Sequence, residues 1–203
     1  MDIDLSTLSK GQVYRLMIQT IVPRPVAWVL SDSGEGRLNL APFSYFNGIT
    51  GDPPIIMISV GHRNDGSKKD TWRNIEERNE LVVHIPATGL AQVVTATSAS
   101  LPHGESELDT SDLETTALAG FRLPRVVGPR VAFGCRKHRI IELGAARQGV
   151  IFAEIVCAWI DDEIVSGDAS APRVDASRLE PLARLGGNDY GSLGEIFTVE
   201  RPQ

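Results

Sequence analysis

The sequence predicts a mainly β fold with peripheral helices, an antiparallel barrel, and three features carry that expectation. Apolar runs of strand length recur at 26–30, 55–60, 80–85, 131–143 and 149–160. Turn-forming residues separate several of them, and the helical patterns are few and short.

Taken in order, Ser9 can cap a short helix whose apolar side carries Val13, Leu16, Met17 and Ile21. Pro23-Arg24-Pro25 ends that helix and forces an extended entry into the strand Val26 to Leu30. Ser31 to Gly36 reads as a hairpin turn, and Arg37 to Ser44 returns as the next strand. Pro53-Pro54 introduces Ile55 to Val60, a continuous apolar run suited to burial on both faces. Glu80 to Ile85 is another strand, and an amphipathic helix is expected from about Thr88 to Thr97. Residues 99–129 lack periodicity, and long excursions of this kind tend to be functional or interfacial. Two long strands close the pattern, Val131 to Leu143 and Gly149 to Ile160. The second carries Ile151, Ala153, Ile155, Cys157 and Trp159 on one face and Val150, Phe152 and Val156 on the other. A long strand with no solvent face suggests a subunit contact, hence a homodimer.

At 203 residues the chain is expected to form one domain, 1–203, with a substantial core. Its net charge of −6 argues against nucleic acid or an anionic membrane as partner, so any anion site must be a local cluster. Cys135 and Cys157 sit in apolar runs at a separation that fits neither a redox pair nor a zinc site. Two buried thiols in a reducing compartment is the expectation. The start, Met1-Asp2-Ile3-Asp4, lacks a signal pattern, and no apolar run reaches membrane-spanning length, which makes a cytoplasmic location the default.

The densest chemistry lies in Ser67-Lys68-Lys69-Asp70-Thr71-Trp72-Arg73-Asn74-Ile75. Ser67 and Asp70 have capping-box spacing, which places a helix start here. A helix N-terminus favours anions through its unpaired N–H groups and its dipole. Lys68, Lys69 and Thr71 would turn that preference into a phosphate seat; the alternative is a solvated basic first turn.

Three segments together resemble the flavin reductase-like family of FMN-binding split barrels, antiparallel Greek-key folds that include flavoredoxin-like proteins and the reductase components of two-component monooxygenases. They are Pro23-Arg24-Pro25-Val26-Ala27-Trp28-Val29, Asn39-Leu40-Ala41-Pro42-Phe43-Ser44-Tyr45-Phe46-Asn47 and Lys69-Asp70-Thr71-Trp72-Arg73-Asn74-Ile75. The closing Arg184-Leu185-Gly186-Gly187-Asn188-Asp189-Tyr190 follows the same order. The resemblance covers about residue 20 to the end. His84 stands where the family usually has Asn, Gly134 precedes Cys135 where an acid is common, and Glu105-Ser106-Glu107 is a looser match.

The resemblance implies FMN as cofactor and a flavin-binding set drawn from these motifs. Arg24 with Lys68, Lys69 and Thr71 would seat the phosphate, Arg meeting two oxygens and Lys acting as a point charge. Pro25, Val26 and Ala27 belong to the first motif. Asn39 belongs to the motif that supplies the ring slot, Ala41 and Pro42 would let the backbone approach the ring, Ser44 and Asn47 would bond its edge, and Phe46 would pack near it. The alternative for that strand is ordinary packing with a kink at Pro42. Ser59 and Gly61 would approach from the other side. Asp70 reads better as a helix cap than as a proton donor, and Asn74 would reach phosphate or cap the loop. Arg184 and Tyr190 would lie near a flavin of one subunit or the other; their alternative is a glycine turn and a packed Tyr. Trp28 reads as core. His62, His103 and His138 lack metal-ligand spacing, so no metal is expected.

The implied activity is an NAD(P)H-dependent FMN oxidoreductase passing hydride from NADH or NADPH to the flavin, with no residue named as catalytic, because the flavin performs that step itself. The other reading is an FMN electron carrier of flavoredoxin type serving an electron-accepting protein partner. A third is a split barrel holding another planar or phosphorylated cofactor.

Overall fold

The computed structural model describes residues 1–102 and 105–202; His103 lies outside them. Its centre is a seven-stranded antiparallel sheet. The strands are β1 (Ala27–Gly34), β2 (Arg37–Phe43), β3 (Phe46–Gly51), β4 (Pro54–Val60), β5 (Glu80–Ile85), β6 (Val131–Leu143) and β7 (Gln148–Ile160). They are ordered β2-β1-β5-β6-β7-β4-β3, so three hairpins are joined in one sheet and β5 links the first to the last. Three of the helices are α1 (Lys10–Thr20), α2 (Asp70–Arg78) and α3 (Ala91–Ala96).

The expected strands are found within a few residues. The first hairpin turns more tightly than its composition suggests. β1 runs on through Gly34, and only Glu35 and Gly36 form the turn, because Gly34, Glu35 and Gly36 all take positive φ.

Alternation along β1 and β5 explains why both read as continuous apolar runs. Ala27, Val29, Leu81 and Val83 enter one core with Ile56, Ile58, Trp72, Ile75 and Ile151. Trp28, Leu30 and Val82 enter a second core on the opposite face, with Leu40, Val94, Leu118, Leu123 and Val126. The aperiodic stretch 99–129 therefore acts as a cover. Leu118, Leu123 and Val126 seal the second core, and among its described residues only two-residue strands, Thr115–Thr116 and Arg125–Val126, form.

The pairing of β6 with β7 shifts register between Phe152 and Ala153 and again between Ile155 and Cys157. These irregularities break the expected single face. Ile151 and Ala153 join the first core, whereas Cys157 and Trp159 pack on the second. Cys135 is buried and Cys157 only partly so; both are free thiols, and burial pushes the Cys135 thiol up.

Two helix expectations need correction. Ser9 caps α1 as expected, in a capping box that Gln12 completes, but none of the helix residues is buried, so its apolar side is not a core face here. α2 starts at Asp70 with Lys69 as an N-cap that makes no side-chain hydrogen bond. Ser67 is not its cap: the Ser67 N–H and hydroxyl both donate to Asp65 Oδ1, at 2.9 and 2.6 Å. The nearer acceptor wins, because Asp two residues back closes a local turn.

Candidate functional site

Where β2 meets the start of α2, three openings adjoin. A small polar cavity of about 80 Å³ is lined by Asn39, Ala41, Pro42, Phe43, Arg63, Lys69, Asp70, Thr71, residues 97–101 and Glu107. A larger opening of about 830 Å³ shares Pro42, Phe43 and Lys69 with it and adds Ser44, Tyr45, Ser59, Gly61, Gln148 and one side of α1. A third, of about 270 Å³, also includes Pro42, Phe43 and Ser44, and is completed by Val26, Thr95, Ser98, Arg184, Asn188 and Tyr190. Pro42 and Phe43 thus form a wall common to all three, and Ser44 extends it along the two larger openings.

The polar cavity is built by two elements locked together. Asn39 of β2 donates its amide to Thr71 Oγ1 of α2 at 3.0 Å, and both residues are buried. Lys69 opens α2 and lies over the Phe43 ring at 6.0 Å; its ammonium makes no ion pair among the described residues. Asp70 pairs instead with Arg63, whose guanidinium also donates to the Leu101 carbonyl at 2.9 Å. An uncommitted ammonium, the uncapped N-terminus of α2 and nearby hydroxyls form a donor set suited to a phosphate.

Other motif residues are placed elsewhere. Arg24 is only 5 % exposed: Nη1 donates to the carbonyls of Ile18 and Ile21, at 2.6 and 2.8 Å, and Nη2 to that of Leu185 at 2.8 Å. Its Nε reaches Ser44 Oγ at 3.3 Å, so this guanidinium fastens the end of α1 to the 184–191 segment and does not line the polar cavity. Lys68 points away from the cavity, bonding both oxygens of Glu76 at 2.7 Å and lying over Trp72. Asn74 donates to Ser31 and Ser33, at 3.1 and 3.0 Å, which holds α2 on β1. Ala27 is core, Pro25 pairs with Ala183, Phe46 packs on the first core, and the exposed Asn47 bonds the Gly48 N–H.

Ser59 accepts from Gln148 Nε2 at 3.0 Å on the wall of the large opening. In that opening the Tyr45 hydroxyl is buried without a hydrogen-bond partner among the described residues. Arg184 stacks on Tyr190 with its guanidinium carbon 4.5 Å from the ring centre, and Thr95 donates to the Tyr190 hydroxyl at 2.9 Å. Trp28 is core, its indole N–H donating to Thr97 Oγ1 at 2.8 Å.

Sequence reasoning missed Arg63 and Glu107, because each lies outside the motifs and reaches the cavity only through folding. It also left His84 without a role. The His84 ring is fully buried, Nδ1 2.9 Å from the Trp28 carbonyl, while Nε2 receives the Val126 N–H at 2.9 Å. Such partners require the neutral ring, and burial pulls its pKa down to about 4. Among the described residues there is no cluster of His, Cys, Asp or Glu able to hold a metal. None of their helices is long and apolar enough to cross a membrane.

Comparison with known proteins places this geometry in a wider group. The family described as flavin reductase like domain matches residues 19–176. The uncharacterized protein YwrF of Bacillus subtilis (strain 168) is 36% identical over 199 residues, covering 96% of each chain. Nitrilotriacetate monooxygenase component B from Bacillus cereus superposes with a TM-score of 0.90 at 32% identity, covering 98% of each chain. The 2-nitrobenzoate 2-nitroreductase NbaA of Pseudomonas fluorescens superposes with a TM-score of 0.89 at 30% identity, covering 100% of this chain and 96% of that one.

Proposed function

The chain belongs to the flavin reductase-like family, and from that premise we propose that it is an FMN-dependent oxidoreductase taking hydride from NADH or NADPH. The observation that carries this reading is the unpaired Lys69 ammonium at the junction of the polar cavity and the large opening. Lys69, Thr71 and the first N–H groups of α2 would hold the phosphate. Ala41 to Ser44 would lie along the ring, and two openings meeting at that wall leave room for a second planar reactant. FMN, when bound, supplies the hydride-accepting centre. The chain's own task is to orient it, keep water from its inner side and set donors at its edge.

We further infer a single-domain protein that works in a reducing cytoplasm as a homodimer. Ile49 is 54 % exposed on β3, beside Ile141 and Phe152, which gives the outer face of β3, β4, β6 and β7 an apolar surface suited to a second copy.

Steady-state oxidation of NADH and of NADPH with added FMN tests the activity. Rapid turnover with either nicotinamide supports the reductase. A yellow protein inert to both would transfer the reading to an electron carrier, and a protein that ignores FMN would remove both.

A further inference from the structure

We propose that Glu107 makes the polar cavity take a flavin phosphate together with a proton, so that cofactor binding and protonation of this carboxyl are one coupled event. The inference rests on the reading that the phosphate of FMN enters this cavity.

Glu107 comes from the 99–129 cover and is 6 % exposed. Its Oε2 accepts the Leu40 N–H at 2.8 Å, which points the carboxyl into the cavity. Its backbone is pinned: the Glu107 carbonyl accepts the hydroxyls of Thr110 and Ser111, at 3.2 and 2.8 Å.

The charged groups lining the cavity, among the described residues, can be named from every side. The segment before α2 gives Arg63 and Lys69, and α2 gives Asp70. β2 gives only Asn39 and the Leu40 N–H, and residues 97–101 give hydroxyls and backbone. Arg63 is paired with Asp70, and no ion pair joins Glu107 to either cation among the described residues. Among the described residues, two cations thus face two carboxylates. A phosphate dianion entering that balanced set meets an unpaired carboxylate; neutralising Glu107 removes the repulsion and leaves the Lys69 charge for the phosphate. Burial already pushes the Glu107 carboxyl up, opposed by the Leu40 N–H and by the Arg63 charge and assisted by Asp70. Because linkage is reciprocal, a ligand that favours the protonated acid is itself favoured by the proton.

The test is calorimetric titration of the whole protein with FMN, in two buffers of different ionisation enthalpy, at about pH 7.5. There the phosphate is already a dianion, its second ionisation lying near 6. Riboflavin, which has no phosphate, is the control. Expected are net proton uptake with FMN, none with riboflavin, and FMN affinity that falls by up to about tenfold per pH unit as pH rises further. Glu107→Gln should abolish the uptake and flatten the pH profile, and should bind FMN more tightly than the parent at alkaline pH. Equal proton counts for FMN and riboflavin, or an unchanged profile in Glu107→Gln, would overturn the inference while leaving the flavin site standing. If Glu107→Gln does not fold, the FMN and riboflavin comparison on the parent protein decides. Failure of both flavins to bind would overturn the flavin reading and this inference with it.

Discussion

Asn39 and Thr71, 32 positions apart in the chain, meet side chain to side chain at 3.0 Å and join β2 to the first turn of α2. This contact brings two separate sequence motifs into one wall of the polar cavity. Thr71→Val keeps the shape and removes the hydroxyl, which leaves the buried Asn39 amide short of an acceptor. Stability should fall by about 1–3 kcal/mol, read from urea denaturation, and FMN binding should weaken as well.

Lys69 and Lys68 are adjacent but face different partners. Lys69→Ala should weaken FMN binding by about 1–3 kcal/mol and leave riboflavin binding unchanged, measured by flavin fluorescence titration. Lys68→Ala breaks a half-exposed pair with Glu76, worth about 0–1 kcal/mol to stability, and the contact over Trp72, and should change FMN affinity little. Equal losses in the two variants would discard the assignment of the phosphate to Lys69.

Arg24 is a fastener. α1 buries none of its own residues, so the guanidinium bonds to Ile18 and Ile21 are a main tether for its C-terminal end. Arg24→Met should cost at least about 2 kcal/mol, since each hydrogen bond to a charged group is worth roughly 1.5–3 kcal/mol. Hydrogen exchange should quicken over residues 10–21 while β5 keeps its protection. Uniform loosening of the whole sheet would contradict this role.

His84 makes the fold sensitive to acid. Its folded pKa of about 4 lies below the ordinary value of 6.5. Its contribution is therefore fully present above about pH 6.5 and is lost as pH falls toward 4, because the unfolded chain takes up the proton first. Between about pH 7.5 and 5 the loss should be about 2 kcal/mol. His84→Asn should lack that part of the pH dependence when denaturation curves at the two pH values are compared.

Much of the fold was legible because its signals are local. The limits of β6 and the apolar run of β5 follow from strand periodicity, and the Ser9 cap of α1 needs only the residues next to it. The start of α2 was misread by two residues, its cap falling at Lys69 instead of Ser67, since Asp65 competed for Ser67. Of the site, Lys69, Thr71, Asn39 and the 41–44 segment were named from motifs, and the fold gathers them around one junction. Lys68, Arg24 and Asn74 carried the same motif signal but turned to Glu76, to helix carbonyls and to β1.

The sequence by itself determined the first hairpin, the central strands other than β3 and the donor chemistry at the head of α2, because each depends on neighbours within a few residues. Only the tertiary structure decided which donors remain uncommitted, that Leu118, Leu123 and Val126 cover a core, and that Glu107 and Asp70 line one cavity. Those outcomes depend on which distant partner satisfies each polar group first, and burial makes that choice strict by penalising any group left unpaired.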